Sequence, residues 1–301
     1  MNVLISGASG LIGQALSLYL SQQGHKVYPL QRTLQQGPFY WHPDENFIHL
    51  DSDIAIDAVV NLNGVNIAEK RWNPARKKTI FDSRVNSTKL LAEAICNMNP
   101  KPKVFISASA IGYYGDTQKN IVNEDAARGQ DFLSDIASAW EAESQLAQNA
   151  GIRTVNIRTS MVLSQLGGAL KEMLMPFKFG LGGTLGSGKQ LTSWITLEDE
   201  CRAIEFLMLH DGISGPVNLC APNVISNREF THALGHVLKR PTLIPMPAFM
   251  VKLLFGEMGE LLLLGSVGVY PKRLLEAGFE FSHGDIEHAL VSVLKNSGKV
   301  A

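Results

Sequence analysis

The feature that most constrains this chain is a cluster of glycines between an apolar segment and a helical pattern. The opening residues MNVLISGASGLIG place Gly7, Gly10 and Gly13 directly after the apolar run 3–5. That run is typical of a short buried strand, and the apolar residues from Leu11 onward recur near helical spacing. A glycine turn at this junction presents backbone N–H groups at the positive end of the helix dipole. The sequence therefore predicts an anion-binding turn, with a plain glycine turn as the alternative.

Strand and helix patterns alternate through the first half of the chain. The strand candidates are 3–5, 26–30, 58–62, 104–107 and 154–157, and the helix candidates are 12–23, 83–97 and 132–150. This alternation favours an α/β fold, a doubly wound parallel sheet with helices on both faces. The pattern becomes mixed and glycine-rich after about residue 165. We therefore expect a first domain over 1–165 and a smaller, mixed C-terminal substrate domain over 166–301, with segments near 190–225 returning to the first domain.

Charge and cysteine content exclude several classes of partner. The 301 residues carry a formal net charge of −1, so we expect no general affinity for nucleic acid or anionic membranes. The three cysteines are far apart, which predicts neither a disulfide framework nor a metal site. The first strand begins at residue 2, which leaves no room for a signal peptide and predicts a cytoplasmic protein.

The longest apolar segment, 253–269, is interrupted by Glu257 and Glu260. It is too short to span a bilayer comfortably. We expect a buried helix or a partner-facing one, which could serve a homodimer.

Several segments together carry a family resemblance. They are SGASGLIG, DAVVNLNG (57–64), NSTKLLAEAI (86–95), ISASAIGYYG (106–115) and SWITLEDECRAI. In this order they resemble the extended short-chain dehydrogenases/reductases, where they are the nucleotide loop, the fourth-strand motif, a helix motif, the segment after the fifth strand and a later strand–helix motif. The segments EKRW, IGYYG, GKQLTSWI and GEMGELLLLGSVGVYPKRLLEAGFEF are similar to an atypical epimerase/dehydratase-like branch with its own C-terminal domain.

The resemblance implies a Rossmann-type domain that binds NAD(P). The residues that it places at the cofactor are Gly7, Ser9, Gly10, Leu11, Ile12, Gly13, Leu62, Asn63, Gly64, Ser107 and Arg158. Relatives that prefer NAD usually have an acidic residue at the end of the second strand, where this chain has Gln31 and Arg32. A guanidinium can pair with a 2′-phosphate, so NADP(H) is favoured over NAD(H). The alternative is that Arg32 is a solvated surface residue.

The catalytic pattern of the family is incomplete in this chain. Ser109 matches the family serine, but the Y-x-x-x-K motif that supplies a tyrosine and a lysine occurs nowhere in the sequence. The nearest substitutes are Tyr113 and Tyr114, which we predict with Ser109 as the catalytic residues; the alternative is that the two tyrosines only pack a loop. Glu141 and Asp199 are further acid/base candidates, although a helix-surface carboxylate and a helix cap are the alternatives.

Other polar residues are candidates for substrate contact. Arg158 and Thr159 follow a strand in the position where relatives hold nicotinamide or substrate, but Arg158 could equally form a structural salt bridge. Residues 70–72, Lys-Arg-Trp, could contact substrate or be a solvated loop with one anchoring Trp. The glycine-rich segment 178–190 could act as a substrate lid, with Lys189, Gln190 and Trp194 beside it.

Two functions remain open at this stage. One is an NADP(H)-dependent oxidoreductase or epimerase acting on an unknown small polar substrate, such as a nucleotide sugar or another carbonyl compound. The other is a non-catalytic NADP(H)-binding sensor or partner-binding protein that has lost the catalytic pair.

Overall fold

The computed structural model describes residues 1–32 and 37–295. The strands are β1 (Asn2–Ser6), β2 (Lys26–Leu30), β3 (Phe39–His42), β4 (Phe47–Leu50), β5 (Ala58–Asn61), β6 (Val104–Ala110), β7 (Ile121–Val122), β8 (Arg153–Thr159), β9 (Met161–Leu163), β10 (Leu191–Thr192), β11 (Trp194–Thr196), β12 (Gly215–Leu219), β13 (Ile225–Ser226) and β14 (Gly268–Val269). The helices are α1 (Leu11–Gln22), α2 (Pro74–Cys96), α3 (Phe132–Asn149), α4 (Gly168–Lys178), α5 (Leu197–Leu209), α6 (Asn227–Leu238), α7 (Ala248–Gly259), α8 (Lys272–Glu276) and α9 (Ile286–Lys295).

A six-stranded parallel sheet in the order β12-β8-β6-β5-β1-β2 forms the centre of the molecule. The central strands β1, β5 and β6 are mostly apolar because both faces of the sheet are covered there. Residues of β1, β5 and β6 pack against α1 and α5 on one face and against α2 on the other. This arrangement confirms the predicted doubly wound, Rossmann-type fold.

The order of the strands reverses between β1 and β5. From β1 the chain turns to β2 on one side, whereas the later strands β5, β6, β8 and β12 follow on the other side. Loops that leave the carboxyl ends of neighbouring strands in opposite directions open a crevice, which is where open α/β sheets bind ligands. The glycine turn after β1 lies at this point.

Two elements of the first half differ from the sequence prediction. The helix α2 begins at Pro74, nine residues before the predicted start at 83, because Asn73 caps it by accepting a hydrogen bond from the N–H of Arg76. The antiparallel hairpin β3–β4 was not predicted. Its inward residues Phe39 and Trp41 are buried, and Gln31 bridges to Tyr40, so the hairpin extends the edge of the sheet beside β2.

The second half of the chain contributes to two layers. The strand β12 joins the central sheet and α5 packs on α1, while α4, α6 and α9 share a separate apolar cluster. The domain boundary at residue 165 stays a prediction. The segment SWITLEDECRAI forms the strand β11 and the start of α5, as its resemblance to a strand–helix motif implied. The helix α6 begins after Ser226, which forms a capping box with Glu229.

The apolar segment 253–269 forms the end of α7, a π-helix over Glu260–Leu264 and the strand β14. A kink at Gly256 (φ 61°) interrupts α7, and the side chain of Arg71 lies against that glycine. Within the described ranges, the helices fall short of the length and apolar character that a bilayer span requires.

Candidate active site

The glycine turn after β1 is closed so tightly that side chains are excluded from it. Gly7 has φ +69°, and a Cβ there would lie 2.6 Å from the carbonyl oxygen of Leu62 at the end of β5. A Cβ on Gly13 would lie 2.2 Å from the carbonyl oxygen of Gly7. The backbone of α1 therefore approaches the turn directly, and Gly10 bonds back to the Gly7 carbonyl at 3.0 Å.

A chain of buried hydrogen bonds fixes the loop after β5 beside this turn. Ser6 donates to the side-chain oxygen of Asn61 at 2.6 Å, and the amide of Asn61 donates to the hydroxyl of Thr88 at 2.7 Å. The indole of Trp140 donates to the same hydroxyl at 2.7 Å, which links the loop to α3. Asn63 donates to the carbonyl of Ser83 at 2.9 Å. The predicted cofactor residues 62–64 thus sit on a rigid support.

Arg32 lies on the rim of the same crevice. Its guanidinium donates to the side-chain oxygen of Asn63 at 3.1 Å, and the side chain is otherwise exposed. The hydrogen bond holds a cation between the carboxyl ends of β2 and β5. The other predicted cofactor residues of the turn, Ser9, Leu11 and Ile12, lie at the start of α1.

A row of polar residues crosses three strands at the carboxyl edge of the sheet. Ser109 on β6 is the register partner of Arg158 on β8, and Arg158 is the partner of Asn218 on β12. Partners in a parallel sheet project to the same face, so the three side chains form one line beneath α3 and the 3₁₀ turn Ile111–Tyr114. The sequence separates them by long stretches, and the strand register brings them together.

Arg158 is the centre of this row. The side chain is 2% exposed, and its guanidinium forms a bidentate ion pair with Glu141 on α3, with both distances 2.8 Å. A further nitrogen donates to the hydroxyl of Tyr114 at 2.9 Å. Burial alone would lower the pKa of Arg158, but the hydrogen bonds and the charge of Glu141 outweigh it and raise that pKa. The structural ion pair considered from the sequence is therefore present.

The two adjacent tyrosines occupy different environments. Tyr114 is 5% exposed, donates to the side-chain oxygen of Asn218 at 2.7 Å and accepts from Arg158, and burial raises its pKa to about 12. Tyr113 is half-buried, and its ring lies 3.4 Å from the guanidinium carbon of Arg158. Within the described residues the Tyr113 hydroxyl has no hydrogen-bond partner. Tyr113 is thus free to contact a ligand, whereas Tyr114 is fully engaged in the protein.

The two serines of β6 also occupy different environments. The Ser109 hydroxyl donates to Glu141 at 2.7 Å, so its proton is committed and its lone pairs remain available. The Ser107 hydroxyl is buried and has no partner among the described residues. An orphaned buried hydroxyl close to the crevice is a group that a bound ligand could satisfy.

The structure places the remaining candidates away from this row. Asp199 is buried in α5, where it accepts from the backbone N–H groups of residues 282 and 283, and the helix cap is Thr196 instead. Trp72 is an anchor that donates to the carbonyl of Ile67, while Lys70 and Arg71 are exposed beside it.

Near the glycine-rich segment, Trp194 is fully buried and Lys189 is exposed. Gln190 is buried and donates to the carbonyls of Leu185 and Leu263, which ties the segment to the π-helix. Thr159 turns to the opposite face of the sheet and donates to Glu200 at 2.8 Å. The lid role stays a prediction.

Sequence reasoning missed two residues that support the site. Asn218 receives the Tyr114 hydroxyl, and its own N–H donates to the buried carboxylate of Glu124 at 3.1 Å. Glu124 also accepts the N–H of Arg273 at 3.3 Å. Neither residue lies in a recognisable motif, and only the register of β12 with β8 would have indicated Asn218.

These residues fit a dinucleotide. At Gly7 and Gly13 a Cβ would collide with backbone atoms, so the absence of side chains lets the start of α1 approach the turn closely. The backbone N–H groups at the start of α1 suit a pyrophosphate, and Ser107 supplies a buried hydroxyl without a partner among the described residues. Within the described residues, no cluster of side chains fits a metal ion.

Comparison with known proteins agrees with this geometry. Residues 3–220 match the family model described as the NAD dependent epimerase/dehydratase family, and residues 246–293 match a domain of unknown function, DUF1731. An epimerase family protein of Mycobacterium leprae is 40% identical, with 96% of this chain and 94% of that protein covered. The human epimerase family protein SDR39U1 is 34% identical, with 98% of this chain and 100% of that protein covered.

Solved structures of epimerase-type proteins superpose on this chain. The crystal structure of human SDR39U1 with NADPH superposes with a TM-score of 0.90 at 33% identity, covering 98% of this chain and 100% of that chain. Thermus thermophilus UDP-glucose 4-epimerase, in complex with NAD, superposes with a TM-score of 0.73 at 15% identity, covers 99% of this chain and 100% of that one, and shows likeness of fold alone. The chain belongs to the NAD-dependent epimerase/dehydratase family.

Proposed function

We propose that this protein is an NADP(H)-dependent oxidoreductase of the epimerase/dehydratase class that reduces a small polar carbonyl compound, with Tyr113 as the proton donor. The observation that carries the proposal is the position of Tyr113. Its ring stacks on the buried cation of Arg158, while its hydroxyl has no hydrogen-bond partner among the described residues. Family enzymes place a tyrosine beside a lysine in Y-x-x-x-K, and here a tyrosine and an arginine from different segments supply the same pair of groups.

NADP(H) is the cofactor that the crevice suits best. The glycine turn and the start of α1 would hold the pyrophosphate, and Arg32 is positioned at the end of β2, where a 2′-phosphate would be bound. Human SDR39U1, which is similar over its whole length, was crystallised with NADPH. When bound, NADPH supplies the hydride that reduces a carbonyl carbon.

The residues of the chain supply the proton. The Tyr113 hydroxyl donates its proton to the carbonyl oxygen of the substrate as that oxygen becomes an alkoxide. Because an alkoxide is much more basic than a phenolate, this direction of reaction requires no lysine to lower the pKa of the tyrosine. The phenolate that remains lies on the guanidinium of Arg158 and is reprotonated from water.

Ser109 acts as an acceptor in this site. Since its proton is donated to Glu141, its lone pairs can accept a hydrogen bond from a hydroxyl of the substrate. A serine that polarises a carbonyl must donate a proton to it, and the proton of Ser109 is already donated to Glu141. We therefore assign to Ser109 the orientation of a hydroxylated substrate, and to Glu141 the positioning of both Ser109 and Arg158.

The second candidate function is non-catalytic NADP(H) binding. It is favoured by the closed network in which Ser109, Glu141, Arg158 and Tyr114 satisfy one another. In that case occupancy of the nucleotide site would stabilise the fold and signal to a partner, without turnover.

The test compares Tyr113→Phe with Tyr114→Phe. The NADPH absorbance is followed with a panel of small aldehydes and ketones, and NADPH binding is titrated separately by fluorescence. We expect Tyr113→Phe to bind NADPH normally and to reduce carbonyls about 10²- to 10⁴-fold more slowly, since one proton donor is removed. Tyr114→Phe should retain most of the activity and instead lose about 1–3 kcal/mol of folding stability, because Asn218 and Arg158 lose a buried partner.

Two results would contradict the proposal. Equal activity of Tyr113→Phe and the wild type would remove Tyr113 from the chemistry. Tight NADPH binding by the wild type without oxidation by any carbonyl of the panel would favour the non-catalytic function.

A further inference from the structure

A group of large apolar side chains is exposed on one part of the C-terminal half. We call it the C-terminal apolar surface, and its members are Phe179, Leu181, Leu243, Ile244, Phe249, Met250, Leu253 and Leu254. Four of them, Phe179, Leu243, Phe249 and Leu253, are 72%, 82%, 70% and 71% exposed. Isolated exposed apolar residues are ordinary, but a contiguous group marks an interaction surface.

Backbone contacts show that the segments carrying these residues are neighbours. Residues 180–186 run beside 241–248: the N–H of Met246 donates to Thr184 at 2.9 Å, and Gly186 donates back to Met246 at 2.9 Å. A Cβ on Gly180 would lie 3.8 Å from the ring of Pro241. The two segments therefore present their apolar residues side by side.

The helix α7 continues this surface. Its exposed apolar positions, 249, 250, 253 and 254, follow helical spacing and form one face, while Val251 on the opposite side is fully buried. A Cβ on Gly186 would lie 3.6 Å from Ala248 at the start of α7, so the helix adjoins the paired segments. The face of α7 that is exposed to solvent is therefore apolar.

The segments that carry the surface are rich in basic residues, and the two acidic residues that follow on the same helical segment, Glu257 and Glu260, are paired with Lys77 and Lys252. Residues 171–189 and 239–254 contain six Lys or Arg residues and one Glu, although the whole chain has 27 basic and 28 acidic residues. Lys178 and Phe179 are adjacent, Lys239 and Arg240 precede Pro241, and Lys252 precedes Leu253. Among the described residues, Lys252 alone of the six has an acidic partner, Glu260. The net charge of −1 therefore hides a basic region around exposed apolar groups.

We propose that the C-terminal apolar surface binds the face of an anionic lipid bilayer. Exposed Phe and Leu side chains surrounded by Lys and Arg are the combination that inserts into the headgroup region while the cations remain at the lipid phosphates. A second copy of the chain is a poorer occupant, because an isologous contact would bring the two basic regions together. The attachment is peripheral, and it leaves the nucleotide crevice and its function independent of the membrane.

The experiment is co-sedimentation of the full chain with vesicles. Phosphatidylcholine vesicles are compared with vesicles containing about 30% phosphatidylglycerol, at low and at high salt. We expect binding to the anionic vesicles that weakens with salt. Lys239→Glu/Arg240→Glu and Phe249→Ser/Leu253→Ser should each weaken it at least about tenfold, through lost charge attraction and lost apolar insertion respectively.

Matched controls lie elsewhere on the surface. Lys89→Glu reverses an exposed cation on α2, and Ile121→Ser removes an exposed apolar side chain on β7. Both should bind vesicles as the wild type does, and all variants should bind NADPH equally, which shows that they are folded. The proposal is overturned if the wild type does not sediment with anionic vesicles, if the controls lose binding as much as the test variants, or if sedimentation velocity shows a dimer that Phe249→Ser/Leu253→Ser dissolves without any vesicle binding.

Discussion

Arg32 illustrates how one exposed side chain can set the choice between two cofactors. Its hydrogen bond to Asn63 restrains the guanidinium at the mouth of the crevice, so less conformational entropy is lost when a phosphate is bound. An acidic residue at the same point would bind a ribose hydroxyl and repel a 2′-phosphate. The proposed preference for NADP(H) therefore rests on this one position.

For Arg32→Asp we expect NADPH binding to weaken at least about tenfold while NADH binding changes little, because only NADPH carries the phosphate. Parallel calorimetric titrations with both nucleotides measure this. Lys26→Asp, at the opposite end of β2, is the control for charge reversal on the same strand. Equal loss of affinity for both nucleotides would show that Arg32 is a structural residue.

The contact partners of Arg158 could not be inferred from the sequence around it. The sequence correctly marked it as a cation at a strand end, but the anion that it binds is Glu141 of the same chain. That pairing depends on the position of α3 above β8, and the contact with Tyr114 depends on the 3₁₀ turn after β6. Propensity and spacing carry no information on such contacts, whereas the glycine turn was predictable because all its parts are local.

At the scale of elements, the start of α2 lies where the sequence pattern is least informative. The first turns of the helix, PARKKT, are polar because they face solvent, so apolar periodicity begins later and the predicted start was placed at 83. The signals that were available are local: Asn73 at the cap and Pro74 at the first helical position. The hairpin β3–β4 was missed because its strands are only four residues long and pair outside the central sheet.

The cap of α2 contributes measurably to the free energy of unfolding. Asn73→Ala should lower the free energy of unfolding by about 0.5–2 kcal/mol, since the N–H of Arg76 loses its acceptor. Urea denaturation measures the change. Asn73→Asp keeps an acceptor and should be close to the wild type. A destabilisation by Asp as large as that by Ala would mean that the cap is not the source of the effect.

At the scale of the whole molecule, one buried carboxyl couples stability to pH. Glu200 in the first turn of α5 is fully buried, receives a hydrogen bond from Thr159 on one oxygen, and has its other oxygen without a partner among the described residues. Burial raises its pKa to about 8, and the Thr159 hydrogen bond offsets this only in part. The folded protein thus keeps a proton that the unfolded chain, with an ordinary glutamate, has released.

The raised pKa of Glu200 sets the direction in which stability changes with pH. A folded-state pKa above the unfolded value stabilises the fold at low pH, and that contribution is lost as pH rises towards about 8. The stability difference between the wild type and Glu200→Gln should therefore shift against the wild type by up to about 1.4 kcal/mol per pH unit between about pH 5 and pH 8. Urea denaturation of both proteins at several pH values tests this, and parallel profiles would contradict it.

The architecture of the whole molecule was predictable where it follows from the alternation of strand and helix patterns in the sequence. Alternating strands and helices gave the parallel sheet, and each of the five predicted strands is present within a few residues of its predicted bounds. The C-terminal half follows no such alternation, so the C-terminal apolar surface depends on long-range packing that the sequence pattern does not reveal. Net charge, a sum over the chain, could not indicate a basic region on one side.

The short parallel pairing of β14 with β7 has a consequence for synthesis on the ribosome. The N–H of Thr117 donates to the carbonyl of Ser266, and the N–H of Tyr270 donates to the carbonyl of Val122 on β7. The side-chain amide of Asn218 donates to the carbonyl of Tyr270. These contacts join segments far apart in the chain, while nascent domains fold from the amino terminus. The tyrosine side of the site therefore reaches its final arrangement only after residues 266–270 have been synthesised.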